Sequence, residues 1–432
     1  MQHHMSTRRV FLQRGLALLA ATPTVPAFLD QTVMAIANPL DMPLTQRPSG
    51  KDGKVLVVVQ LAGGNDGLNT VVPFADDNYH RARPGIRHDP KTLHRLNDTT
   101  GLHPNLRPFL DLYERGEMSV VQGVGYPNPD RSHFRAMDIW HSAQPEREQA
   151  SSGWVGRYFD NACVGADPDV GVNIGDTLPL AMQGERVTPL ALERPESYRY
   201  KGIDRQRYEA LNGLAAVPGS PAHPTASPPP KRGYTTEASQ LDFLHRTALD
   251  AKLSSEDILR VTREHQASGG YPRGELGDGL RLVAAMIRGG LSTRVYYVHL
   301  GGFDTHANQR GRHDRLMQSF GDAVGAFWAD LKGQKNDERV MMMTFSEFGR
   351  RVAQNASGGT DHGAAAPMFL FGPRVKGGIH GDNPSLTDLD NGDIKYRVDF
   401  RSVYATVLQQ WLDTPSKPVL GQQFKTLPLL RA

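Results

Sequence analysis

The chain has 432 residues, with 49 Lys+Arg against 46 Asp+Glu and a single cysteine, Cys163. A net charge of +3 without any Lys/Arg-rich run excludes nucleic-acid binding driven by phosphate neutralisation. One cysteine excludes a disulfide framework, a thiolate zinc cage and an iron–sulfur cluster, while 39% hydrophobic and 8% aromatic residues describe a folded protein.

The amino terminus reads as an export signal. Arg8-Arg9-Val10-Phe11-Leu12 precedes an apolar stretch from Gly15 to Leu29 that contains Pro23 and Pro26. That stretch is shorter than the roughly 20 residues that span a bilayer, and it ends in small residues. The arginine pair looks like a twin-arginine signal, with cleavage after Ala27 or Ala37 and residues 1–37 as signal and linker. Arg8, Arg9 and Arg14 give residues 1–27 a charge of +3, equal to that of the whole chain, so cleavage after Ala27 leaves a formally neutral chain. The expected location is periplasmic or secreted, by way of the twin-arginine machinery, without a stable membrane anchor.

From residue 45 to 432 the pattern predicts one α/β domain, a mainly parallel sheet sandwiched by helices. Its strands are short apolar runs without alternation, as expected for strands covered on both faces. In chain order they are Val55–Ala62, Met118–Val124, Arg294–Leu300, Arg339–Phe345 and Met368–Gly372. Helical stripes lie between and after them, at Leu106/Phe109/Leu110/Tyr113, at Leu316/Phe320/Val324/Phe327 and at Val403/Val407/Leu408/Trp411. Six prolines between Pro218 and Pro230, followed by a helical block at about 237–265, read as an excursion inserted at about 185–275.

Each strand is followed by a polar motif. They are Gly63-Gly64-Asn65-Asp66-Gly67, Asp130-Arg131-Ser132-His133-Phe134, Phe303-Asp304-Thr305-His306, Ser346-Glu347-Phe348-Gly349-Arg350 with Gly359-Thr360-Asp361-His362-Gly363, and Gly377-Gly378-Ile379-His380-Gly381-Asp382. Ligands bind outside the carboxyl ends of parallel strands. Parallel pairing would therefore gather Asp66, Ser132, Asp304, His306, Asp361, His362 and His380 on one edge. Carboxylates and imidazoles without thiolates suit Zn, Mn or Fe, and a mixed set can hold two ions. Ser132, opening a helix over His133–His141, is the candidate nucleophile, with Arg131 and Arg350 as clamps on an anionic ester. The plain readings are a turn for the Gly-rich motif, a helix N-cap for Ser132, a cap or an Arg350 partner for Glu347, surface positions for His103 and His141, and a solvated first helical turn for His313 and Asp314.

These motifs, with Asp399-Phe400-Arg401-Ser402-Val403-Tyr404, resemble the exported bacterial family called domain of unknown function 1501 over roughly residues 50–415. That family in turn is similar to the alkaline phosphatase/sulfatase superfamily. The resemblance implies an alkaline phosphatase-like fold, one divalent metal at Asp66, Ser132, Asp361 and His362, and a second at Asp304, His306 and His380. It departs from the superfamily's Asp-x-x-x-His spacing, since this chain has Asp304-x-His306 and Asn308. Cys163 lies outside any sulfatase modification motif. The expected activity is metal-dependent cleavage or transfer of a phosphate, phosphonate or sulfate ester, on a small or polymeric anionic substrate. The alternatives are a non-catalytic exported binding or assembly protein that keeps the fold, and a serine hydrolase, for which the Gly-x-Ser-x-Gly elbow is missing.

Overall fold

The computed structural model describes residues 53–163, 166, 168–194, 258–264 and 269–431. The export signal, the Pro-rich segment and most of the 237–265 block lie outside the described residues.

Among the described residues, nine strands form the main sheet. Its centre is β1 (Val55–Leu61), buried along its whole length. The remaining strands used below are β2 (Met118–Gly125), β3 (Gly171–Ile174), β4 (Leu190–Leu192), β5 (Val295–Leu300), β6 (Val340–Phe345), β7 (Ala366–Phe371), β8 (Gly378–His380) and β9 (Val398–Asp399). The order is β8-β2-β7-β6-β1-β5-β3-β4, with β9 also on β2. β1 pairs in parallel with β5 and β6, Val57 lying opposite Tyr296 and Met342. Successive residues of β1 feed two apolar layers. Val55, Val57, Val59 and Leu61 pack on one face, and Leu56 and Val58 on the other. Full burial of each such side chain is worth about 1.5–3 kcal/mol, which is why no polar alternation is seen.

The sheet is mixed and mostly parallel, flanked by helices. This is the mainly parallel sheet expected from the sequence, and its antiparallel member is β7, which runs against both β2 and β6. That reversal has a functional consequence. A reversed strand presents its start at the edge where its neighbours end. Asp361-His362, which precede β7, therefore reach the same edge as the motifs that follow β1, β2, β5 and β6. The segment after β7 begins on the opposite edge and returns as β8, with His380 alongside Val121 in the middle of β2.

The helices that matter are α1 (Arg107–Glu114), α2 (His133–Ser142), α3 (Glu275–Arg288) and α4 (Gln309–Gln334). α4 starts at Gln309, several residues earlier than the apolar stripe suggests, so His313 falls in its second turn and faces inward. It is buried, as are His103 and His141, against the expectation of surface positions.

Candidate metal centre

Asp304 follows β5 and is the common neighbour of three imidazoles. Its Oδ1 lies 3.1 Å from His306 Nε2 and 3.1 Å from His362 Nε2, and its Oδ2 lies 3.6 Å from His133 Nε2. The donor atoms of His133, Asp304 and His362 all lie within 4.8 Å of one another. His306 Nε2 and His362 Nε2 are 2.9 Å apart.

The other ring nitrogens fix the tautomers. His362 Nδ1 faces the Arg131 carbonyl at 2.8 Å, His306 Nδ1 faces an Asp361 carboxylate oxygen at 3.3 Å, and His133 Nδ1 faces Glu347 Oε1 at 3.0 Å. Carbonyl and carboxylate oxygens only accept, so each Nδ1 must donate, and each neutral ring then presents a bare lone pair on Nε2. Two imidazole lone pairs and a carboxylate oxygen, mutually 2.9–3.1 Å apart, repel unless a cation lies between them. A shared proton or a metal ion would satisfy them. Zn–N and Zn–O bonds of about 2.0–2.1 Å in a tetrahedron put neighbouring ligand atoms about 3.3 Å apart, close to what is seen. The donor set therefore fits a divalent ion.

The electrostatics of Asp304 and His362 agree, while those of His133 favour its charged form. Burial pushes the Asp304 carboxyl up, but the Arg350 hydrogen bond and charge, with the imidazoles beside it, outweigh that and hold the group down at about 2. Burial keeps His362 below the usual imidazole range, hence neutral. The hydrogen bond to Glu347 raises His133. The cluster is open to solvent on one side, Asp304 and His306 being nearly half exposed.

Arg350 holds the loops together. Its buried guanidinium donates to the carbonyls of Gly64 (2.7 Å), Thr360 (2.8 Å), Phe303 (3.0 Å) and Gly63, and to Asp304 Oδ1 (2.8 Å). Glu347, also buried, accepts from Gly63 N–H at 2.7 Å as well as from His133. Gly63, with φ +115°, lets the chain pass against β5's loop: a Cβ there would lie 2.5 Å from Asp304 N.

The structure brings together Asp304, His306, Asp361 and His362 of the residues expected from sequence. Asp361 touches the cluster through His306 and Asn355, as an orienting carboxylate. Ser132 is exposed beside it, at the N-cap of α2 with no capping bond from its side chain. Arg131 pairs with Asp393 and lends its carbonyl to His362. Asp66 is fully buried and paired with Arg83 and Gln309. His380 bonds Ser119 Oγ and the Lys376 carbonyl, and is not brought to the cluster. His133 and Glu347 complete the centre. The sequence offered a signal for His133, an imidazole in the first helical turn directly after a strand end.

No helix among the described residues is long and apolar enough to cross a membrane. No curated protein sequence matches the chain. Among solved structures the chain is similar to a protein in the alkaline phosphatase superfamily from Vibrio parahaemolyticus, at 10% identity and TM-score 0.37 over 91% of this chain and 77% of that one. It is also similar to the PsFucS1 sulfatase from Pseudoalteromonas sp., at 12% identity and TM-score 0.36 over 94% and 75%. A third is the C-terminal periplasmic domain of EcEptC from Escherichia coli in complex with Zn, at 10% identity and TM-score 0.35 over 75% and 74%. Likeness this loose carries no argument about chemistry. The family assignment rests on residues 53–422, which match the model described as "Protein of unknown function (DUF1501)", and the chain belongs to that family.

Proposed function

We propose that His133, His306, His362 and Asp304 hold one divalent cation, Zn, Mn or Fe, and that the centre acts on a phosphate, phosphonate or sulfate ester in the periplasm or outside the cell. The observation that carries this is the set of three imidazoles, each with Nδ1 on an acceptor and Nε2 turned to the same carboxylate. A bound ion would supply Lewis acidity to the ester oxygens and to a nearby hydroxyl. The chain's own residues do the rest. Glu347, Asp361 and the Arg131 carbonyl fix the ring orientations, and Arg350 fixes Asp304. Ser132 Oγ, exposed and without a capping bond, is the candidate nucleophile that attacks phosphorus or sulfur while the ester's alcohol leaves. Export through the twin-arginine pathway is supported by Arg8-Arg9 and the apolar stretch that follows them.

Elemental analysis of the purified chain after dialysis with Zn²⁺ or Mn²⁺ tests the reading. It expects bound metal that is lost in His362→Ala. It also expects turnover of aryl phosphate or sulfate esters that Ser132→Ala abolishes while the metal stays. A chain that takes up no metal overturns it.

One observation favours the second reading, a binding or assembly protein that keeps the fold without the chemistry. Both arginines expected to clamp the ester are committed elsewhere, Arg131 to Asp393 and Arg350 to four carbonyls and Asp304. A metal-loaded chain inert towards the whole ester panel is the outcome this reading expects.

A further inference from the structure

We infer that Arg83 is a built-in cation that closes the Asp66 position to metal, so that this chain holds a single ion where the superfamily resemblance implies two. The inference rests on the proposed centre only for that first ion. Arg83 caps the C-terminal end of the short helix Asp77–Ala82, and its side chain is fully buried. Its guanidinium lies in a cage made of oxygen alone. Nε donates to the Val352 carbonyl at 2.8 Å, Nη1 to Asp66 Oδ2 at 2.5 Å and Asn69 Oδ1 at 3.0 Å, and Nη2 to the Arg351 carbonyl at 2.8 Å. Carboxylate, carbonyl and amide oxygens around one buried point are what a hard divalent cation takes. Here a guanidinium occupies that point.

What Arg83 leaves over does not make a second site. Asp66 Oδ2 also accepts from Gln309 Nε2. Among the described residues, Asp66 Oδ1 and His313 Nδ1 are buried acceptors without a hydrogen-bond partner. Two donors fall short of the four that zinc takes and the six that magnesium takes. A divalent ion on Oδ1 would also sit a few ångströms from the guanidinium in a low-dielectric interior, where like charges repel strongly.

The neighbouring histidines do not supply the missing ligands. His88, His103 and Asp314 have donor atoms within 4.8 Å of one another, which resembles a ligand set. The hydrogen bonds say otherwise. Asn105 N–H donates to His103 Nδ1 at 3.0 Å, so the neutral ring carries its proton on Nε2 and donates it to Asp314 Oδ1 at 2.8 Å. That nitrogen has no lone pair for a metal. The contrast with His362, whose Nδ1 donates to a carbonyl, separates a buried His–Asp pair from a metal ligand.

The test is ion stoichiometry by elemental analysis and native mass spectrometry on the full chain. Wild type, Asp66→Asn and Arg83→Ala are each dialysed against Zn²⁺, Mn²⁺ and Mg²⁺. The expected counts are one ion in wild type, one in Asp66→Asn, and two in Arg83→Ala with Mn²⁺ or Mg²⁺ present. The extra ion should vanish again in the Arg83→Ala/Asp66→Asn double variant. Two ions in wild type, one of them lost in Asp66→Asn, overturn the inference and leave the first centre standing. A folded Arg83→Ala chain that still holds one ion also overturns it. Should Arg83→Ala fail to fold, the wild-type and Asp66→Asn counts still decide. A wild-type chain that takes no ion at all sinks the metal centre itself, a different outcome.

Discussion

His306 Nε2 and His362 Nε2 face each other at 2.9 Å, and behind the first ring Asp361 accepts from Nδ1. In the proposed centre this arrangement gives His306 the role of ligand and Asp361 that of its orienting partner. Partners of that kind typically change metal affinity ten- to a hundred-fold when altered. Asp361→Asn should therefore weaken metal binding by about that factor, measured by competition with a chromophoric chelator. His306→Ala should cost far more. Equal losses in the two variants would make Asp361 a direct ligand instead.

The same logic applies to Glu347, whose Oε1 receives both Gly63 N–H and His133 Nδ1. Glu347→Gln keeps an acceptor oxygen but removes the charge that favours a donating Nδ1. Metal affinity should fall about ten-fold or more, with the unfolding midpoint in urea little changed. Unchanged affinity would place His133 outside the centre.

How much of this was readable beforehand depended on the kind of residue. β1, β2, β5 and β6 were legible because fully buried strands read as unbroken apolar runs. The polar motifs behind them were legible because site residues collect at strand ends. The direction of β7 was not, since an apolar run of six residues carries no sign of its sense. That one unknown misplaced His380 and, by the same token, brought Asp361 and His362 to the right edge by a route the sequence did not show. Asp66 looked like a ligand because nothing local announces that Arg83, 17 residues on, will fold back onto it. Arg350 looked like a substrate clamp because the carbonyls it binds belong to loops distant in sequence.

Gly63 offers a third test. Its φ of +115° disfavours any side chain, and an added Cβ would lie 2.5 Å from the Asp304 backbone nitrogen. Gly63→Ala must push the Asp304 loop away from β1's loop or twist Gly63 itself. Both displace Asp304 relative to the imidazoles. We expect a destabilisation of roughly 1–3 kcal/mol together with lost metal binding. Stable protein with full metal content would mean the two loops are not tightly docked.

Arg350→Lys tests the fork that ties four carbonyls to Asp304. A lysine brings three donors on a single nitrogen and cannot reach all of these acceptors. The unpaired buried carbonyls should cost on the order of 3 kcal/mol, read as a lower urea midpoint at unchanged m-value. Metal content should fall as well, since Asp304 loses the bond that aims it. A drop in stability with metal retained would show that His133, His306 and His362 position the ion without Arg350's help.

Three histidines away from the centre give the chain an acid-labile core. Burial depresses His141 and His313 to about 3 and His88 to about 4. In the unfolded chain these rings titrate near 6.5. Between that value and the folded one, the unfolded state binds more protons, so stability is complete above pH 6.5 and falls as the pH drops below it. Each ring contributes a slope of up to about 1.4 kcal/mol per pH unit in that window. Carboxylates titrate little between pH 5 and 6.5, which isolates the histidine contribution. His141, held between Gln60 Oε1 at 3.2 Å and Tyr297 Oη at 3.1 Å, is the ring to remove. His141→Gln keeps a polar partner for both and titrates nothing. Its urea midpoint, followed from pH 7.5 to 5, should decline less steeply than wild type by about one proton's worth. Parallel curves would mean that His141 is already protonated in the fold, or already neutral when unfolded, and that the acid sensitivity lies elsewhere.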